Sequence, residues 1–229
     1  MDLLKKDSEA SIKSLLGTYA IYLVFIGMVI LSSIVSENFL KASNIVNILR
    51  QISPIMIIAC GETMVIIAGM TDLSPGAILA LSGCVGIGVT IRTGNAFLGM
   101  LVSIGIGLLC GLISGIAVSH FKIPPFIATL AVMNLARGAA YVYTDGKTIY
   151  NIGNFAFFGQ GKILGIPAPI VFMVGITIIS HMILKHTKFG RYLYAVGGNE
   201  DAAIASGINA KKVKLISYLI LGAFSGFAG

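Results

Sequence analysis

The sequence predicts an all-α, polytopic transmembrane helical bundle with about six complete spans and an incomplete seventh. Hydrophobic residues make up 56% of the 229 residues and charged residues only 11%, and the mean hydropathy is +0.94. These values lie outside the range of soluble domains. Apolar runs recur along the chain, and small residues repeat every four positions in two of them, as in helices that pack closely inside a membrane.

The apolar runs define the predicted elements, because a helix needs about 20 apolar residues to cross a bilayer. The complete runs are residues 17–35, 52–70, 76–91, 96–118, 126–143 and 163–184, and the incomplete one is residues 215–229. The run at 76–91 is short and follows "TDLSPG", which indicates a helix that starts from a break inside the membrane. No small-residue cleavage site follows the first run, so we expect it to be an anchor and not a signal peptide.

The positions of lysine and arginine predict the orientation. If the six complete runs all cross, one set of connecting regions holds ten of these cations and the other set holds five. The ten are Lys5, Lys6, Lys13, Lys122, Lys185, Lys188, Arg191, Lys211, Lys212 and Lys214. Because an excess of cations marks the cytoplasmic side, we expect residues 1–16 and 185–214 to be cytoplasmic. This topology also explains the net charge of +7, so no nucleic-acid partner is expected.

Small residues predict close helix packing at two places. One run has them at every fourth position, at Gly99, Ser103, Gly107, Gly111 and Gly115, and another at Gly76, Ala80, Cys84 and Gly88. Side chains this small let two helix backbones approach closely in a membrane. The alternative is that these faces line a pore, and the spacing alone does not separate the two interpretations.

Polar residues within or between the apolar runs are candidates for a translocation pathway or for a structural polar core: Glu62, Asp72, Asn134 and Arg137. A charge at the bilayer centre costs at least about 2.5 kcal/mol on insertion scales, so such residues face protein or a water-filled cavity. Asp72 and Arg137 are candidates for an ion pair. Asp72 also precedes Ser74 and Pro75, where a cap and a proline would start the next helix.

Motifs for nucleotide chemistry, metal binding and hydrolysis are absent from the sequence. There is no GxxxxGK[ST] loop and no HExxH motif. The three cysteines, Cys60, Cys84 and Cys110, lie in apolar runs and support neither a disulfide framework nor a zinc site. His120, His181 and His186 share no ligand spacing, so we expect neither a cofactor nor a metal.

The segment "VGGNEDAAIASGINAKKVK", residues 196–214, reads as soluble sequence inside a membrane protein. Asn199 is placed to cap a short helix with Glu200 and Asp201 in its first turn, where acidic residues favour the helix dipole. Gly207 is placed to end that helix, and Asn209 to cap the helix that enters the last run. The alanines of the short helix, Ala202, Ala203 and Ala205, are expected on its surface. A partner-binding stub and an ordinary connecting loop both fit these residues.

Three blocks of sequence, in order, resemble one family. They are "ETMVIIAGMTDLSPGAILALSG", "IPPFIATLAVMNLARGAAYVYTDGKTI" and "HTKFGRYLYAVGGNEDAAIASGI", and the last of them contains the coupling-helix motif "GGNEDAAIASGI". The family is that of the permease subunits of bacterial ATP-binding cassette importers, specifically the ribose-type sugar permeases of the second carbohydrate-uptake family. The resemblance extends from about Pro54 to the end of the sequence.

This resemblance implies a transport subunit of the bacterial cytoplasmic (inner) membrane that is not itself an enzyme. It implies a second permease subunit in a homodimer, a separate ATPase subunit, an extracytoplasmic sugar-binding protein and surrounding membrane lipid. It assigns ATPase coupling to Gly198, Asn199, Glu200, Ala202, Ala203 and Gly207. Residues 1–229 would form one transmembrane permease domain that lacks the C-terminal part of the family.

A different transporter class is the main alternative. In a secondary transporter of a small polar solute, Glu62, Asp72 and Arg137 would couple transport to an ion gradient. Such transporters often carry an inverted repeat, and the sequence shows no convincing second copy of any block.

Overall fold

The computed structural model describes the backbone of residues 2–229 and the side chains from Tyr19 onward. Over these residues the chain is 80% helical, which confirms the predicted all-α class. The α-helices are α1 (Asp2–Val35), α2 (Ala42–Ile67), α3 (Pro75–Thr93), α4 (Ala96–Ser119), α5 (Pro125–Thr144), α6 (Ala156–Gln160), α7 (Ala168–His186), α8 (Lys188–Gly198), α9 (Glu200–Ala205) and α10 (Ala210–Ala228). A 3-10 helix, Gly153–Phe155, precedes α6.

Among the described residues, five helices are long and apolar enough to cross a membrane, namely α2, α3, α4, α5 and α7. The apolar part of α1 that is described, Tyr19–Val35, is shorter. The structure thus supports part of the predicted set of six complete spans. The chain divides into two compact units, residues 1–49 and 50–229. The first unit contains α1 and the start of α2, and the packing below belongs to the second unit.

A non-helical segment lies before residue 76, between α2 and α3, where the sequence predicts an interruption of the helices. Helix α2 ends at Ile67, and α3 begins at Pro75, a residue that favours the first position of a helix because its missing N–H needs no partner there. Gly69 has φ +77, a left-handed conformation that glycine adopts without strain. Residues 68–74, which we call the break, therefore join two helices by a short non-helical segment.

The predicted start of the run at residue 163 is wrong. A two-stranded antiparallel hairpin occupies this position, with β1 at Lys162–Ile163 and β2 at Ile166–Pro167. Leu164 and Gly165 form its turn with φ of 51 and 84, and α7 begins only at Ala168. Hydropathy does not reveal this turn, because the hairpin residues are as apolar as the helix that follows.

The main packing contact joins α4 to α10. The two helices run antiparallel, because successive glycines of α4, Gly107 and Gly111, meet α10 at Gly222–Gly226 and at Tyr218–Gly222 respectively. A Cβ atom at Gly107 would lie 2.8 Å from the Gly226 nitrogen and still closer to the Gly222 carbonyl oxygen. The two backbones are therefore in direct contact.

The same small-residue face of α4 reaches α3 at its other end. Ser103 is buried, and its hydroxyl donates to the carbonyls of Ser82, at 2.9 Å, and of Gly99, at 3.1 Å. Gly99 faces Gly86 of α3. The second predicted stripe is wrong in part, since Gly76 and Ala80 are exposed and Gly88 faces the Tyr143 hydroxyl. Helix α3 instead meets α4 through Gly86.

Candidate functional site

Residues 187–214, which include the segment that stood out in the sequence, contain α8, α9 and the start of α10, and each of these helices is started by a side-chain cap. Thr187 Oγ1 accepts from the Gly190 N–H at 3.1 Å and starts α8. Asn199 Oδ1 accepts from the Ala202 N–H at 2.9 Å and starts α9, and Asn209 Oδ1 accepts from the Lys212 N–H at 3.0 Å and starts α10. Gly207, at φ +84, forms the turn between α9 and α10. The caps at Asn199 and Asn209 are those that the sequence predicts.

Helix α8 was missing from the sequence-based prediction. Its buried residues Gly190, Leu193 and Val196 recur at three-residue intervals, which places them on one helical face. Leu193 and Val196 belong to a hydrophobic core cluster with Met64 and Val65 of α2 and with Val213 of α10. The signal was present as an amphipathic pattern, but the basic and tyrosine residues on the opposite face made the segment resemble a loop.

The surface of α9 differs from the expectation. Ala202 and Ala205 are exposed, but Ala203 is only 4% exposed and packs in the same hydrophobic cluster as Val196 and Val213. Successive side chains of a helix point about 100° apart. A helix that lies on the surface of a protein therefore turns some of its side chains inward, and in α9 the inward one is Ala203. Ile204 is the large apolar side chain of α9 that stays exposed, at 53%.

An ion pair joins α9 to α10. Lys214 Nζ lies 2.6 Å from Glu200 Oε2, and the two side chains are 18% and 44% exposed respectively. Glu200 is the first residue of α9 and Lys214 lies in the second turn of α10. Together with the burial of Ala203, this ion pair fixes α9 against the start of α10. Gly198, which precedes the cap residue, has open space around its Cα.

The break between α2 and α3 is held by polar contacts. Asp72 Oδ1 accepts from the Ser74 N–H at 2.7 Å and from the Ser74 hydroxyl at 2.6 Å. Glu62 Oε1 accepts from the Asp72 N–H at 3.2 Å, while its Oε2 atom is buried and has no hydrogen-bond partner among the described residues. The hydroxyl of the fully buried Tyr218 donates to the Thr71 carbonyl at 3.2 Å. Sequence reasoning had not included Tyr218.

The predicted ion pair between Asp72 and Arg137 is wrong. Among the described side chains, the ion pairs are Lys147–Asp145 and Lys214–Glu200. Arg137 is exposed on α5, while the neighbouring Ala136 is buried. Asn134, also exposed on α5, donates to the Leu130 carbonyl of its own helix at 2.9 Å. Glu62 and Asp72 therefore lie together at the break, whereas Asn134 and Arg137 lie on a different surface.

Two cavities lie at opposite ends of the antiparallel pair α4 and α10. One, of about 780 Å³, is bordered by Gly69 and Met70 of the break, by the α4–α5 connection and by Glu200, Ile204 and Lys214. The other, of about 250 Å³, is lined by Phe155, Phe158, Phe172, Gln160 and Ser53. The first has polar and charged walls beside α9, and the second is mainly apolar.

Comparison with known proteins places the whole second unit in a transport family. Residues 44–229 match the family described as branched-chain amino acid transport system / permease component. The chain is 44% identical over 213 residues to the ribose import permease protein of Haemophilus influenzae, covering 90% of this chain and 66% of that protein. It is 43% identical over 205 residues to the ribose import permease protein of Bacillus subtilis, covering 88% and 64%.

More distant relatives carry other sugars in their names. The chain is 34% identical over 215 residues to the D-allose transport system permease protein of Escherichia coli, covering 93% of this chain and 65% of that protein. The chain thus spans about two thirds of the length of these curated relatives. No solved structure matches it.

Proposed function

We propose that this chain, which belongs to the family described as branched-chain amino acid transport system / permease component, is the membrane-spanning subunit of an importer for a ribose-like monosaccharide. The resemblance in the sequence and the family match agree on a permease. A sugar is favoured over an amino acid because the relatives at 43–44% identity are named ribose import permeases. Galactofuranose, D-allose and fructose transporters follow at 31–34% identity.

Transport is driven by ATP hydrolysis on a separate subunit. The observation that supports this most is α9, a helix of six residues that keeps Ala202, Ile204 and Ala205 exposed while Ala203 and the Glu200–Lys214 ion pair fix it to the rest of the chain. So short a helix is not stable alone, and a fixed, protruding helix with small side chains suits a groove on an ATPase. Gly198, Asn199 and Gly207 set its position by the cap and the turn.

The face of α5 that carries Asn134 and Arg137 meets a second permease subunit, or water in the pathway between the two subunits. Both residues are exposed in the single chain, and a guanidinium that faces lipid near mid-membrane is unfavourable. A homodimer places this face away from lipid. An extracytoplasmic sugar-binding protein delivers the sugar to the side opposite α9, and the N-terminus lies on the cytoplasmic side with α9.

The ion-coupled alternative has little support. Of its three candidate coupling groups, Glu62 and Asp72 lie together at the break, where Asp72 binds Ser74, but Arg137 lies on a different surface. The relatives named above are import and transport-system permeases for sugars.

Purification of the protein from its native membrane, with the proteins that remain bound, tests the proposal. We expect an ATPase subunit to copurify, and proteoliposomes of the complex with the sugar-binding protein to take up labelled ribose only when ATP is supplied inside. Uptake that follows an imposed ion gradient without ATP would favour the alternative. Copurification without uptake of ribose, but with uptake of another sugar, would change only the substrate.

A further inference from the structure

The last turn of α8 and the break between α2 and α3 are in direct contact. A Cβ atom at Gly197, near the end of α8, would lie 2.8 Å from the carbonyl carbon of Ile67, 3.3 Å from Cα of Ala68 and still closer to the Ile67 carbonyl oxygen. The last turn of α8 therefore rests backbone to backbone on the point where α2 ends. Only glycine permits this approach, because any side chain would occupy the same space as the Ile67 carbonyl.

The other side of the break is held by α10. The Tyr218 hydroxyl donates to the Thr71 carbonyl at 3.2 Å, and the Tyr218 side chain is completely buried. Glu62 of α2 accepts from the Asp72 N–H and so joins the break to α2 as well. Residues 68–74 thus contact α8 at their first residue and α10 at their fourth.

Both of these helices lead directly to α9. One residue, Asn199, separates α8 from α9, and the turn around Gly207 joins α9 to α10, to which Glu200 is also paired. The two helices that hold the break are therefore both linked to α9. Gly69 and Met70 of the break border the cavity of about 780 Å³ beside α9, so movement of the break changes the width of that cavity.

We infer that Gly197 and Tyr218 are positioning residues that transmit the displacement of α9 to the break, and that the break is a gate for solute at the α9 end of the membrane. The inference rests on the proposed function, since an ATPase supplies the displacement. It adds a moving part, residues 68–74, and two residues outside the coupling helix that act on it.

Two substitutions test the inference, each with a matched control. Gly197→Ala introduces a Cβ that collides with Ile67, whereas Gly175→Ala in α7 introduces one that meets nothing within 4 Å. Tyr218→Phe removes only the hydroxyl that binds Thr71 and keeps the buried ring, whereas Tyr22→Phe changes a tyrosine that is 62% exposed. Tyr218→Phe retains the core packing, so it tests the inference even if Gly197→Ala does not fold.

The first measurement is the number of sugar molecules imported per ATP hydrolysed in proteoliposomes that contain the whole complex. We expect this ratio to fall by roughly two- to tenfold in Tyr218→Phe, the range that the loss of one hydrogen bond produces, and further in Gly197→Ala. ATPase binding and ATP hydrolysis stay at the level of the unchanged protein. A merely structural role would lower both activities together, and an unchanged ratio in Tyr218→Phe overturns the inference.

The second measurement is amide hydrogen exchange of residues 68–74 before and after the ATPase is trapped with ADP and vanadate, which requires no transported sugar. We expect trapping to change exchange in the break of the unchanged protein and of both controls, but not of Gly197→Ala or Tyr218→Phe. Normal ATPase binding without any change in the amide exchange of residues 68–74 overturns the inference but leaves the proposed function in place. Failure of the unchanged protein to bind an ATPase overturns the proposed function, and the inference with it.

Discussion

At Gly107 and Gly111 of α4, backbone atoms of α10 occupy the space that a Cβ atom would need. At Gly222 and Gly226 of α10, backbone atoms of α4 occupy that space. In lipid there is no hydrophobic drive for helix association, so van der Waals contact between close backbones has to hold the pair together. A regular spacing of small residues in one helix therefore predicts that the helix packs closely, but the sequence does not say which partner it meets.

We predict that Gly107→Ala destabilises the protein more than Gly105→Ala does. The added methyl group at position 107 collides with the Gly222 carbonyl oxygen, whereas nothing lies within 4 Å of a Cβ at position 105. Overpacking of this kind costs about 1–3 kcal/mol. Thermal unfolding of the two variants in the same detergent checks the prediction, and equal unfolding temperatures would mean that α4 and α10 are not in contact in solution.

We also predict that the effects of Asp72→Asn and Arg137→Leu are additive. Asp72 binds Ser74 at the break, and Arg137 lies exposed on α5, so the two side chains share no partner. Residues that interact give a double mutant whose effect differs from the sum of the single effects. The measurement is the initial rate of sugar uptake by the two single mutants and the double mutant. A double mutant no worse than either single mutant would indicate a pair.

At the scale of elements, the residues next to each other in the chain are sufficient to predict where some helices begin and end, but not which of their side chains are buried. The ends of α9 and the start of α10 follow from Asn199, Gly207 and Asn209, because caps and left-handed turns depend on residues next to each other in the chain. The burial of Ala203 does not follow from the sequence, because four small or apolar residues in a row leave the inward direction open. The hairpin before α7 and the pairing of Tyr218 with Thr71 depend on contacts that periodicity does not encode.

The two faces of α9 predict different outcomes for two similar substitutions. Ala203→Arg forces a charge into the cluster that contains Val196 and Val213, so we expect it to lower the stability of the protein itself. Ile204→Arg places the charge on an exposed position, so we expect normal stability and loss of ATPase binding. Thermal unfolding and ATPase copurification, measured for both variants, separate the two effects.

Ile204→Ser is the control for Ile204→Arg, because it removes the apolar side chain without adding charge or bulk. Normal copurification of the ATPase with Ile204→Arg would show that α9 is not a docking surface. Normal stability of Ala203→Arg would show instead that this residue is accessible from outside the chain.

At the scale of the whole molecule, the order of the apolar runs is sufficient to predict a polytopic helical protein, and the structure adds which ends of the helices lie together. The break, the α4–α5 connection and the segment that contains α8 and α9 meet at one end of α4 and α10. The 3-10 helix, α6 and the start of α7 meet at the other end. This arrangement agrees with the count of lysines and arginines, because Lys122 and residues 185–214 fall at the same end.

We predict that Asp201 lies on the cytoplasmic side and Tyr150 on the opposite side. Asp201 belongs to α9, among the cation-rich segments, whereas Tyr150 follows α5 at the other end and is 90% exposed. Cysteines introduced one at a time, as Asp201→Cys and Tyr150→Cys, report this with a membrane-impermeant maleimide, after the natural cysteines Cys60, Cys84 and Cys110 have been replaced by serine. The variant without any cysteine is the background control.

In intact spheroplasts we expect labelling of Tyr150→Cys at once and of Asp201→Cys only after the membrane is permeabilised. The physical reason is that lysine and arginine near the ends of the spans are retained on the cytoplasmic side, and the helices between the two positions cross the bilayer an odd number of times if α7 spans it. The opposite labelling pattern would invert the topology and place α9 out of reach of any cytoplasmic ATPase. Labelling of both positions from outside would show that α7 does not cross the membrane. Tyr150 and Asp201, which lie at opposite ends of the folded bundle, would then be on the same side of the membrane.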